Sequence, residues 1–387
     1  MTAALSATAP PHTACAVSCE LCPDVVEWCP AEGWQDLLAY GTYVLDEASG
    51  FRRGALHLAW ARGAATMEVG GELGLEPLVE VPIPGAYDVA WGPSGTALGS
   101  GECGEDAGPD RLLAVAAADG ALRLFRACCA SSGGEEQTAW RCDEAIAPCQ
   151  LLEESILTHV AWGAGGSSGL AAVGQDGSAH HLQLRPEGKL EVLARRQAHD
   201  LEVWSVEVSP AFPSLVLTGA DDARLLGWDL REPSDAGPAL SNRRSHGAGV
   251  TALASNVRDP NILATGSYDE RVRLFDLRAL AREPLVETDK LGDGAYHLSW
   301  HPVWPGTLAV SAMRSGLPLL RVCGDNAGLK EWARYAADVA EGEHGSLAYG
   351  VCWRYAPSAS SWLVASASFY DRSLHVWSVG QPPPLPA

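Results

Sequence analysis

Four stretches of the chain place an aspartate six positions ahead of an aromatic residue, each after an apolar run rich in small side chains: Asp119 to Phe125, Asp222 to Trp228, Asp269 to Phe275 and Asp371 to Trp377. Two more keep the frame with one change. Asp176 is followed by Leu182 at the aromatic place, and in "VSAMRSGLPLLRV" Ser315 stands where the acid belongs. A second marker precedes the copies, an apolar alternation that ends at Trp28, Trp91, Trp162, Val208, Trp300 and Trp353, with "VTALASN" as its weak member. That marker brings the count to seven, because Trp28 leads through "LLAYGTY" and a longer turn into "GALHLAWA". Period-2 alternation over short runs separated by turn residues reads as β-structure throughout. A repeat of roughly 45–60 residues carrying four such strands is a propeller blade, which buries both faces against its neighbours. The expected fold is therefore all-β, a seven-bladed propeller forming a single domain over 1–387, with its core at about 13–379.

Closure of the ring is also legible. The last copy ends at "SLHVWSVG" and passes directly into the Pro-rich tail 381–387, leaving no room for a fourth strand, since proline cannot donate to a ladder. The alternating "TACAVSC" near the N-terminus is the expected replacement, and its pairing would remove an open sheet edge. Gly, Ser and acidic residues gather at 92–110, 127–140 and 227–245, which read as loop excursions from one propeller.

Bulk properties narrow the function classes. A net charge of −21 repels phosphate backbones and argues against nucleic-acid binding. No apolar run reaches the roughly 18 residues of a membrane span, and the N-terminus lacks a secretory signal's basic and apolar regions, so a cytoplasmic protein is expected. Eleven irregularly spaced cysteines suggest reduced thiols. Cys19 and Cys22 form a CxxC beside Cys15 and Cys29, but no second pair completes a zinc site, and no metal is expected.

The frames "GADDARLLGWDLR" and "GSYDERVRLFDLR", preceded by "AHDLEVWSVEVSP" and "SHGAGVTALASN", resemble WD repeats. His199 and His246 each stand four positions before a first inner valine, Val203 and Val250, the family's place for its structural histidine. The resemblance assigns His199, Asp222, Trp228, His246, Asp269, Asp371 and Trp377 to the hydrogen-bonded set that holds WD blades. A narrower likeness joins "VEWCP", "GSYDE", "LSWHP", "LAYGVCW" and the last blade's "SFYD": together they resemble the WD-repeat diphthine methyl ester hydrolases of diphthamide biosynthesis. That resemblance implies an esterase without cofactor, which removes the ester methyl from a modified histidine of elongation factor 2 as methanol. It also implies a monomer whose partner is that elongation factor. The alternative is a non-catalytic WD scaffold, the commonest use of the fold.

No nucleophile elbow or zinc-protease motif is present, so an ester hydrolase of this kind would activate water with a carboxylate or imidazole. Candidates flank the structural turns: Glu202, Asp221, Tyr268, Glu270 and Tyr370, with His297 as a candidate base. Each has an ordinary reading as a solvated turn residue. Counting back four places from Trp91, Val208, Trp300 and Trp353 gives Tyr87, Trp204, Tyr296 and Tyr349. These either pack between blades or form an aromatic cage for a trimethylammonium group. His301 follows its strand toward the opposite face and reads as structural.

Overall fold

The computed structural model describes residues 10–93, 110–131, 138–163, 168–323, 328–335, 346–356 and 361–382. Seven antiparallel sheets follow one another along the chain, and each begins with an inner strand: Cys22–Trp28, Ala86–Trp91, Leu157–Trp162, Val203–Val208, Val250–Ser255, His297–Trp300 and Ala348–Trp353. This is the expected seven-bladed propeller. The last sheet is completed by His12–Ser18, paired with Ser373–Val379 in a register that sets Thr13 against Trp377 and Val17 against Leu374. The N-terminal strand thus closes the ring as the missing fourth strand requires.

Strand enters parts of two stretches expected as loops. Ala121–Ser131 and Thr138–Glu144 pair as a hairpin, so both ends of 127–140 are ladder. In 227–245 the short strand Leu240–Asn242 forms the outer edge of the fourth blade. Of 92–110, residues 94–109 lie outside the described residues. Among the described residues no helix is long and apolar enough to cross a membrane.

The repeat frame explains how a blade is held. In the fourth blade Trp228 Nε1 donates to Thr218 Oγ1 (3.0 Å), Thr218 Oγ1 meets His199 Nε2 (2.8 Å), and His199 Nδ1 meets Asp222 (3.0 Å). All four polar groups are thereby satisfied in a buried setting where an unpaired group is costly. The fifth blade departs from this chain because Phe275 has no N–H to give. His246 still meets Thr265 Oγ1 at 2.9 Å, but Asp269 turns to the Arg273 guanidinium (2.9 Å) and to the Gly247 N–H (2.8 Å). Asp119 and Arg123 repeat that aspartate–arginine pairing in the second blade. In the last blade Trp377 Nε1 donates to Ser366 Oγ (3.1 Å), while Asp371 lies exposed at its turn. Thr218→Val keeps the shape of the fourth-blade hub but strips its hydroxyl, leaving His199 Nε2 and Trp228 Nε1 unpaired while His199 Nδ1 keeps Asp222. Urea denaturation is expected to show a loss of about 1–3 kcal/mol, and an unchanged midpoint would refute the hub.

Candidate axial site

Six of the seven inner strands carry an irregularity at the same place. The register between first and second strands slips at Asp24, Tyr87, Thr158, Trp204, Thr251 and Tyr349, so that one residue of the inner strand has no partner. In the sixth blade Tyr296 sits at the equivalent place, just before His297–Trp300. A bulge breaks the strict alternation of faces and re-aims side chains. Two successive residues per blade consequently line the axis: this row and the next, which includes Asp88, His159, Ser205 and His297.

The first row and its neighbours make an aromatic arc at the upper mouth. Ring centroids run from Trp204 to Tyr268 (6.3 Å), Tyr296 (6.4 Å), Tyr349 (4.6 Å), Phe369 (5.8 Å), Tyr43 (4.9 Å) and Tyr87 (4.5 Å). Such spacings suit edge-to-face and offset contacts. Tyr43 lies in its blade's second strand and Tyr268 and Phe369 directly follow theirs, at one equivalent register opposite Cys22, Gly249 and Leu347. Glycine makes room for the arc: a Cβ on Gly249 would lie 3.1 Å from Tyr268 Cδ2, and one on Gly294 2.8 Å from its Cδ1.

Beneath the arc lies a small cavity of about 40 Å³, lined by Asp24, Tyr87, Trp204, Tyr296 and Tyr349. Below it is a chamber of about 300 Å³ bordered by Glu27, Glu207 and Ser255. Asp88, His159 and His297 border both. Asp88 Oδ2 accepts from the Val160 N–H at 2.9 Å and stands 3.6 Å from His159 Nε2. Burial raises the Asp88 carboxyl to about 7, although the Val160 bond and His297 oppose the shift. Burial, with Asp88 nearby, holds Asp24 well above the usual carboxylate range. It also lowers His297, against the pull of Asp88, and takes His159 down to about 4. The His297 Nδ1–H donates to the Val351 carbonyl at 3.1 Å, which leaves Nε2 as the unprotonated nitrogen of a neutral ring. Lower in the channel, burial raises Glu27 to about 8 and Glu207 to about 7. Among the described residues no three His, Cys, Asp or Glu side chains converge as metal ligands would.

The residues singled out in the sequence therefore separate. Tyr87, Trp204, Tyr296, Tyr349 and His297 meet at the axis. Tyr268 joins the arc, and Asp221 accepts from the Trp204 indole N–H at 3.3 Å on the same rim. Three others lie outside the cavity lining. Glu202 receives the Asp221 N–H on its backbone carbonyl, Glu270 sits at a left-handed turn (φ 71°) paired with Lys290 at 2.8 Å, and Tyr370 is 68% exposed. His301 is buried among Trp304, Trp353 and Trp362. Asp24, Asp88, His159, Tyr43 and Phe369 are the site residues that the sequence reading passes over. The signal for the first three was available, since Asp24 lies four places before Trp28 and Asp88 and His159 three before their tryptophans.

Comparison with known proteins gives the chain's relatives. The family described as WD domain, G-beta repeat matches residues 238–276. Diphthine methyltransferase of Homo sapiens is 30% identical over 376 residues, covering 90% of this chain and 74% of that protein. The Mus musculus protein of the same name is 30% identical over 385 residues, covering 92% and 72%. A diphthine methyltransferase homolog of Dictyostelium discoideum is 26% identical over 192 residues, covering 47% and 52%. A chain of the solved mitotic checkpoint complex superposes with a TM-score of 0.66 at 14% identity, covering 98% of this chain and 95% of that one, a likeness of fold alone.

Proposed function

The chain belongs to the diphthine methyltransferase family, which carries a role in diphthamide biosynthesis, and on that premise we propose that it hydrolyses the methyl ester of diphthine methyl ester on elongation factor 2, giving diphthine and methanol. The observation that carries this reading is a neutral imidazole with a free Nε2, set between an aromatic mouth and a polar chamber. The substrate's trimethylammonium is a cation without N–H donors, and aromatic faces attract such ions while tolerating their shape. Asp24 stands beside them, and the arriving cation supplies the countercharge that its buried carboxyl lacks.

With the ammonium in the arc, the ester reaches down toward Asp88, His159 and His297. Water from the lower chamber adds to the ester carbonyl carbon as His297 Nε2 takes its proton. The phenol hydroxyl of Tyr349, kept protonated by burial, is the donor closest in kind to what a developing oxyanion needs. The carbon–methoxy bond then breaks, the leaving oxygen takes the proton from the imidazolium, and methanol and the carboxylic acid part. Asp88 favours the imidazolium through its charge, and the Val351 carbonyl keeps the ring in the required tautomer.

The relatives' name describes methyl transfer, which makes the same ester bond in the opposite sense from a methyl donor. The fate of the methyl group separates the two readings: hydrolysis sends it to methanol without any donor, and transfer requires S-adenosylmethionine. A folded chain with neither activity would be a scaffold. Within the hydrolase reading, Tyr296→Leu removes one face of the arc. The KM for the modified elongation factor should rise about 3- to 30-fold with kcat nearly constant, whereas an unchanged KM would leave Tyr296 as packing.

A further inference from the structure

Away from the axis, on the outer edge between the fourth and fifth blades, a concavity of about 530 Å³ is walled by Arg243, Arg244 and Arg282. Its backbone is fixed by one side chain. Asn242, only 4% exposed, donates from Nδ2 to the carbonyls of Leu280 (3.0 Å) and Arg282 (3.1 Å). Its Oδ1 accepts from the N–H groups of Arg244 (3.3 Å) and Ser245 (3.2 Å). The two segments that carry the arginines are thus tied together before any ligand arrives, and preorganisation lowers the ordering cost of binding.

The arginines differ from their neighbours in one respect. Elsewhere in these two blades Arg231, Arg271, Arg273 and Arg278 are paired with Asp229, Glu287, Asp269 and Asp276. Arg243, Arg244 and Arg282 are exposed, and among the described residues none of them forms an ion pair. Arg243 Nε is held by Ser241 Oγ at 3.1 Å, and Glu283, also at the pocket, pairs with none of the three. In a chain with 48 acidic against 27 basic residues, three unpaired guanidiniums facing one hollow are an unmatched positive charge.

We propose that this hollow binds a phosphomonoester dianion, presented as a phosphorylated side chain of a partner protein. Guanidinium forks match phosphate oxygens by shape and by paired N–H donors. A single carboxylate would engage one fork and leave two charges unmatched, whereas a dianion with three terminal oxygens can meet all three. A nucleic acid brings many further phosphates against a surface of net charge −21, which opposes a long polyanion while leaving a single group acceptable. The site is independent of the esterase reading.

The test titrates the full chain into a fluorescein-labelled peptide, Gly-Ala-phosphoserine-Ala-Gly, and follows anisotropy at constant ionic strength. The phosphorylated peptide should bind at least about 30-fold more tightly than its serine form. The combined variant Arg243→Ala, Arg244→Ala, Arg282→Ala should abolish the difference, and the corresponding triple Lys variant should retain part of it, because lysine keeps the charge without the fork. Circular dichroism confirms that each variant is folded. Equal binding of both peptides, no binding by the wild type, or an unaffected Ala variant would overturn the proposal. So would tighter binding of a single-stranded RNA oligonucleotide that the same substitutions abolish, which would make the hollow a nucleic-acid contact.

Discussion

Replacing His297 with alanine is expected to lower kcat for methanol release by about 10²- to 10⁴-fold, the usual range for a lost general base, while the KM for the modified elongation factor changes little. The split follows from position: His297 lies below the aromatic arc that would hold the cation, and its neutral ring is fixed by Val351 rather than by anything the substrate supplies. A pH profile gives an independent reading. His297 works unprotonated, and burial lowers its pKa, so protonation of the base itself limits activity only at acidic pH, below its ordinary 6.5. Asp88 titrates near 7 and aids the imidazolium only when ionised, so kcat/KM should rise as pH increases through about 7. Asp88→Asn should remove that rise and shift the acid limb downward, because losing the carboxylate also removes the charge that held His297 up. A profile unchanged by Asp88→Asn would detach the carboxylate from the chemistry.

The largest expected stability effect lies at the closure. Trp377 is fully buried, stacks on Tyr335 with ring centroids 4.7 Å apart, and faces Thr13 across the seam made by the N-terminal strand. Tyr335 in turn joins Thr13 Oγ1 at 2.7 Å and His375 Nδ1 at 2.9 Å, so one indole supports two blades and the seam together. Trp377→Ala should cost about 3–5 kcal/mol by cavity formation, seen as a fall in the urea midpoint. Trp377→Phe should cost roughly 1 kcal/mol if it keeps the stack and loses only the bond to Ser366. A loss below about 1 kcal/mol for the Ala variant would mean that the seam holds without this residue.

The propeller was readable because it rests on residues that repeat, the turn aspartates and the strand tryptophans, and its closure because the alternating stretch near the N-terminus pairs with Ser373–Val379. The site was only half readable, and the bulges account for the rest. A strict alternation predicts one axial residue per pair, so counting back four places finds Tyr87, Trp204, Tyr296 and Tyr349 but not the adjacent Asp88, His159 and Ser205, which the slipped register also turns inward. Asp24 shares the first row yet escapes a search for aromatics. Tyr43 and Phe369 are set by their pairing opposite Cys22 and Leu347, long-range facts that no local frame contains. In "GSYDE" the parts now stand at different places in the molecule: Tyr268 in the arc, Asp269 on Arg273, and Glu270 turned to Lys290. "SFYD" divides similarly, with Phe369 in the arc and Tyr370 toward solvent.

The central claim is that a water molecule, and no methyl donor, takes part at the axis. The direct measurement incubates the purified chain with elongation factor 2 whose diphthine methyl ester carries an isotopically labelled methyl group, without S-adenosylmethionine, and follows label in volatile methanol. The account predicts stoichiometric release by the wild type and almost none by His297→Ala. Retention of the label by a folded wild-type chain, or transfer of label from methyl-labelled S-adenosylmethionine to unesterified diphthine, would contradict it.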